Sequence, residues 1–190
     1  MNRRRFLVSS LGVGTLAVSG GPLLASAGAA TDDEIAFANF GASTEFLVKD
    51  YYTKVLEAKV LPRAGLVVAK RGRAAASQHA RALSDALVGA GDVAPVEEDF
   101  EFVWPARTFR TAQPTVTTGL DVLRALRGAY QSASASVSDP SYRVLYASLA
   151  ASVGQQIGAL EALSGRPGAE PFPVAMDLEA ASDALEAYLG

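Results

Sequence analysis

The run Asp139-Pro140-Ser141-Tyr142-Arg143-Val144-Leu145-Tyr146, continuing through Leu149, Val153, Leu160 and Leu163 to Gly165, decides the fold. Asp139 offers an N-cap and Pro140 a first-turn proline, a position where its missing N–H costs nothing. Leu145, Leu149, Val153, Leu160 and Leu163 recur at helical spacing, and Gly165 supplies a stop. The stretch therefore predicts a helix from Ser141 to Ser164. Its length calls for a partner to cover the apolar face, because an isolated helix of this size gains little stability alone.

Working outward, the preceding segment from about Val116 to Val137 carries Leu120, Leu123, Leu126, Tyr130 and Ala133 in register, with a Ser-rich end over 132–138. Upstream, Ile35, Ala38, Gly41, Ala42, Val48, Tyr52 and Val55 predict a helix from Asp33 to about Ala58, with Asp32 or Asp33 as N-cap. Pro62 and Gly65 punctuate it. A second helix is read from about Val67 to Val88, with Gly89 and Gly91 as its stop, returning antiparallel. Residues 91–115 are too long for a tight connection and hold Phe100, Phe102, Trp104 and Phe109, which suits a crossover that packs across the body. Strand-like residues are confined to Phe100–Trp104. Asp177 caps a short last helix carrying Leu178, Ala181, Leu185 and Leu189, after a Pro/Gly loop from Arg166 to Pro173. The expected fold is all-α: a four-helix bundle of two antiparallel hairpins with a long crossover, plus a short C-terminal helix.

Residues 1–30 read as a leader and 31–190 as the folded domain. Asn2-Arg3-Arg4-Arg5-Phe6-Leu7-Val8 precedes an uncharged, glycine-diluted stretch and small residues such as Ala25-Ser26-Ala27, which is the pattern of a secretory signal. The Arg3-Arg4-x-Phe6-Leu7 run resembles the twin-arginine export signal, implying a periplasmic, cell-envelope or extracellular address. Membrane attachment is expected only if the leader stays uncleaved as an apolar span.

The chain has 190 residues, 49% of them hydrophobic and 19% charged, enough for one compact core. Lys and Arg number 17 against 20 Asp and Glu; without the leader arginines the balance falls to roughly −6, which disfavours nucleic acid as a partner. Cysteine is absent and histidine occurs once, as His79. Disulfides, thiol nucleophiles and zinc ribbons are thereby excluded, and so is any site needing two imidazoles. No phosphate loop, dinucleotide fingerprint or nucleophile elbow is present.

Asn39-Phe40-x-x-x-x-Glu45-Phe46, Tyr51-Tyr52, Gln78-His79-x-x-x-Leu83, Phe100-Glu101-Phe102, Gly128-Ala129-Tyr130 and Gly165-x-Pro167 together resemble the exported, desiccation-related type of ferritin-like domain over essentially the whole mature chain. The resemblance implies a stress or envelope setting. It also implies a dimetal centre built from a Glu on each of two helices and a Glu-x-x-His pair on each of the other two. Carried over, Glu45 matches the first carboxylate and His79 an imidazole; the remaining positions fall on Ala76, Leu123, Val153 and Gln156, so both metal ligands of the fourth helix are lost. Metal binding is therefore assigned only to Glu45 and His79, as relic positions. No cofactor is expected, and iron or manganese is disfavoured.

Glu45 sits among inward-facing residues and needs a partner, which His79, equally far beyond the Pro62 turn, is placed to be. Tyr51, Tyr52, Tyr130, Tyr142 and Tyr146 are read as core residues that could donate to Glu45. Glu97-Glu98-Asp99 is read as a solvated loop face. These readings describe a non-enzymatic envelope or stress-associated structural or binding protein, with an envelope partner or small ligand, or self-association as a homo-oligomer. Two alternatives stand beside it: a metal-binding protein or weak oxidase using Glu45, His79 and a substitute such as Asp121 in a mononuclear or intersubunit site, and a bundle holding a small apolar ligand between Ala-rich helices.

Overall fold

A computed structural model describes residues 30–165 and 173–190. The leader and the loop containing Pro167 lie outside the described residues. Among the described residues five α-helices follow one another: α1 (Asp32–Ala58), α2 (Arg63–Gly89), α3 (Ala112–Ser136), α4 (Pro140–Leu163) and α5 (Leu178–Leu185). Among the described residues there is no β-strand, only one antiparallel bridge between Phe102 and Leu189. None of these helices is long and apolar enough to cross a membrane.

Local chemistry sets the helix ends. Thr31, rather than Asp32 or Asp33, is the N-cap of α1: its hydroxyl accepts from Glu34 N–H while Glu34 Oε2 accepts from Thr31 N–H, a reciprocal capping box. α2 begins at Arg63, four residues before the expected Val67, because Pro62 serves as N-cap and Gly65 lies inside the helix, where a Cβ would stand 2.8 Å from Leu61 and 3.2 Å from Leu163. α3 likewise starts at Ala112, since Pro114 is tolerated in a first turn. Asp139 caps α4 as expected, accepting from Ser141 and Tyr142 N–H. The last helix stops short of Leu189: α5 ends at Leu185, a 3₁₀ turn covers Glu186–Tyr188, and Leu189 pairs with the crossover.

α1 packs on α2 and α3, and α4 packs on α3 and α2, closing a four-helix bundle. The first turn of α1 meets the α3–α4 connection, where Glu34 Oε1 accepts from Ser138 and Asp139 N–H. At the same end Tyr142 of α4 donates to the Ala86 carbonyl of α2. α2 and α3 therefore both finish where α1 starts, so residues 90–111 must climb the whole bundle, about 40 Å for a helix the length of α1. They do so alongside α1: Asn39 donates to Asp92 (3.1 Å), Lys49 pairs with Glu97, and Trp104 Nε1 donates to Asp50 (2.6 Å). Trp104 is wedged against Tyr51, Phe109 and Tyr188, and Phe100 lies beside Phe46 and Phe102. Covered by α2, α3 and this crossover, α1 is buried around most of its circumference, which is why it lacks a clean polar face.

Glycines let the interior tyrosines lie flush against neighbouring helices. A Cβ on Gly72 of α2 would fall 2.3 Å from the Tyr52 ring, and one on Gly119 of α3 would fall 2.2 Å from the Tyr51 hydroxyl. Gly41 of α1 provides the same relief for Tyr130 of α3, at 2.9 Å.

Candidate functional site

Glu45 and His79 meet at mid-height of the α1–α2 hairpin. Their equal offsets from the Pro62 turn put them level, and each lies on a stripe facing the bundle. His79 Nδ1 and Glu45 Oε1 are hydrogen-bonded at 2.9 Å, and the hydroxyl of Tyr130, from α3, donates to the same oxygen at 3.0 Å. Glu45 is fully buried, whereas the His79 side chain keeps 13% of its surface exposed. The imidazole thus links an interior carboxyl to the molecular surface.

Burial pushes the Glu45 carboxyl above the ordinary carboxylate range, against the opposing pull of the His79 and Tyr130 hydrogen bonds. Tyr130 is held well above the usual tyrosine value, by burial first and then by the Glu45 charge. Tyr52 is raised in the same direction by burial, by Tyr51 and by Glu45. Both phenols consequently keep their protons, and Tyr130 donates its own to Glu45. Among the described residues several polar atoms in the core nevertheless find no hydrogen-bond partner: Glu45 Oε2, Tyr52 Oη, Thr44 Oγ1 and both amide atoms of Gln156.

The other candidates go elsewhere. Asp121 is exposed on α3 and acts on Tyr188 of the C-terminal segment; within the chain it is not gathered with Glu45 and His79. Tyr51 donates to the Thr115 carbonyl, Tyr142 to that of Ala86 and Tyr146 to that of Glu34, leaving Tyr130 as the tyrosine that bonds Glu45. Glu97 pairs with Lys49, and Asp99 accepts from Val96 N–H within its own turn, so the acidic run is only partly a solvated face.

The two cations of a dimetal centre need about six hard or imidazole donors facing one another. Ala76, Leu123 and Val153 are buried aliphatic residues, Gln156 is a neutral amide, and Glu45 and His79 are the only carboxylate and imidazole at the carried-over positions. The donor set does not fit a dimetal centre. Among the described residues no group of three or more His, Cys, Asp or Glu side chains is gathered to hold a metal ion.

Glu34, Glu161 and Thr44 are among the buried polar residues that the sequence alone does not single out. Glu34 closes the α1 cap and ties it to the α3–α4 connection; the Thr31-x-x-Glu34 spacing was its signal. Glu161 of α4 accepts from Arg124 of α3 at 2.9 Å, a pair with no local signature because it depends on how the two helices are turned. Thr44, next to Glu45, is buried on α1. Among the described residues an open groove of about 410 Å³ lies between α3 and α4 and another of about 540 Å³ at the α1–α2 turn. No protein-family model, no curated protein and no solved structure matches the chain.

Proposed function

We propose that this chain is an exported bundle of the ferritin-like kind in which a hydrogen-bonded Glu–His–Tyr cluster stands in place of a dimetal oxidase centre, and that it works as a non-catalytic structural or binding protein of the cell envelope. The observation that carries this reading is the state of Glu45 Oε1. It is already hydrogen-bonded to His79 and Tyr130, while the positions that would complete a dimetal shell are aliphatic or amide. A carboxyl used in this way stabilises and orients the core rather than activating oxygen. The twin-arginine resemblance of Arg3-Arg4 supports the address, and the two hairpins joined by a full-length crossover suit the ferritin-like class.

Elemental analysis and ferrous oxidation assays on the purified folded protein test it. The expected result is sub-stoichiometric iron and oxidation no faster than the buffer blank; two tightly held transition-metal ions per chain overturn the proposal.

A second reading, one metal ion held by Glu45 and His79, is favoured by the unpartnered Glu45 Oε2. It requires one Mn²⁺, Fe²⁺ or Zn²⁺ per chain, lost on His79→Leu. A metal content unchanged by that substitution removes it.

A further inference from the structure

The α1–α2 turn, at the opposite end of the bundle from the start of α1, carries a groove that the core site does not use. It is rimmed by Lys59, Arg63, Lys70 and Arg73 and floored by Leu56, Leu66 and Val67. All four cations are exposed, and among the described residues none of them makes an ion pair. This is unexpected in a chain that holds more acids than bases. The pattern follows from helical spacing: Arg63, Val67 and Lys70 share one exposed stripe of α2, with Leu66 and Arg73 beside it. Along its whole length α2 sets Arg63, Lys70, Arg71, Arg73 and Arg81 against Asp85 as its one acid. Lys59 completes the rim from the α1 C-cap in a left-handed conformation (φ 53°), where a glycine would be cheaper by the loss of Cβ crowding.

We propose that this tip docks on the surface of an anionic lipid bilayer. The ammonium and guanidinium groups would meet headgroup phosphates, and the Leu56–Leu66–Val67 floor would rest at the acyl boundary. Val67 already stands 43% exposed. Long basic side chains around an apolar floor are the chemistry of an interfacial site, because their stems lie on apolar surface while their charges stay in the headgroup layer. The acidic remainder of the domain is repelled by the same surface, which orients the molecule tip-first. Nucleic acid fits less well, since the groove offers no aromatic side chain for a base to stack on. The proposal is independent of the core-site reading and of the export route.

The chain has no cysteine, so Val67→Cys can carry a single polarity-sensitive fluorophore in the full-length protein, and Val144→Cys, at a position 66% exposed near the start of α4, can carry it at the other end. Vesicles of phosphatidylcholine with roughly one-third phosphatidylglycerol should blue-shift the label at position 67, and pure phosphatidylcholine should not. The effect should vanish at about 0.5 M salt. Lys70→Gln with Arg73→Gln, both surface changes, should raise the apparent Kd on the order of thirtyfold. Co-sedimentation of the unlabelled chain gives the same comparison without the fluorophore. An unshifted label at 67, an equal shift with neutral vesicles, a shift only at 144, or a response of the label at 67 to poly-glutamate but not to vesicles would each overturn the proposal, the third by assigning binding to the leader's end of the bundle and the fourth to an acidic protein surface.

Discussion

Oε1 of Glu45 and Nδ1 of His79 lie 2.9 Å apart, joining the midpoints of α1 and α2 across a buried carboxyl. Breaking the pair from one side strands a polar group in the core. Glu45→Leu and His79→Leu should therefore each cost on the order of 2–4 kcal/mol, while the double substitution should cost less than their sum by about 1 kcal/mol or more. Urea unfolding of the four species measures the coupling. Strict additivity would mean that the hydrogen bond contributes nothing to stability.

Export is tested at the other end of the chain. If Arg3 and Arg4 are read as a pair by the folded-protein translocase, Lys at both positions should retain the protein inside the cell although the charge is unchanged. Undiminished secretion of the Lys-Lys form would assign the chain to the general secretory route.

Local signals in the sequence were legible and angular ones were not. Asp139-Pro140 announces α4 because capping is decided within a few residues, and Glu45 and His79 could be paired because their heights follow from counting residues on either side of Pro62. Tyr130 could not be singled out among five inward tyrosines, since its reach to Glu45 depends on the rotation of α3 against α1 and on the glycine at 41 that lets its ring approach. Proline misled the reading of α2: Pro62 looks like a stop yet fits an N-cap, where no N–H is required. Leu189 has helical spacing with Leu185, but pairing with Phe102 on the crossover, far away in sequence, overrides it.

Close packing at the glycines gives a signed prediction. Ala at position 72 gains up to about 1 kcal/mol in helix propensity but drives its Cβ into the Tyr52 ring, so Gly72→Ala should destabilise by about 1–3 kcal/mol net. A Cβ added to Gly158 of α4 would meet nothing within 4 Å, and Gly158→Ala should stabilise by about 0.5–1 kcal/mol. In a domain of this size those changes move Tm in opposite directions by a few degrees. A stabilised Gly72→Ala would show that Tyr52 can swing aside without loss.

Glu45 and Glu34 should give opposite pH dependences. Burial raises the Glu45 carboxyl, so its contribution to stability is complete below the ordinary value of about 4.5 and is lost as pH rises through the elevated folded value. For Glu34, burial alone would raise the carboxyl, but the N–H groups of Thr31, Asp139 and Ser138 with the Thr31 hydroxyl outweigh it and hold the group low. Its contribution is present above the ordinary value and is lost as pH falls through the depressed one. Measured as Tm from acid to neutral pH, Glu45→Gln should gain on the unsubstituted protein as pH rises, because the neutral amide escapes the cost of a buried charge. Glu34→Gln should fall behind over the same interval, because it cannot become the anion that the three backbone donors favour. Slopes of the same sign for the two variants would mean that the His79 and Tyr130 hydrogen bonds hold Glu45 charged in spite of its burial.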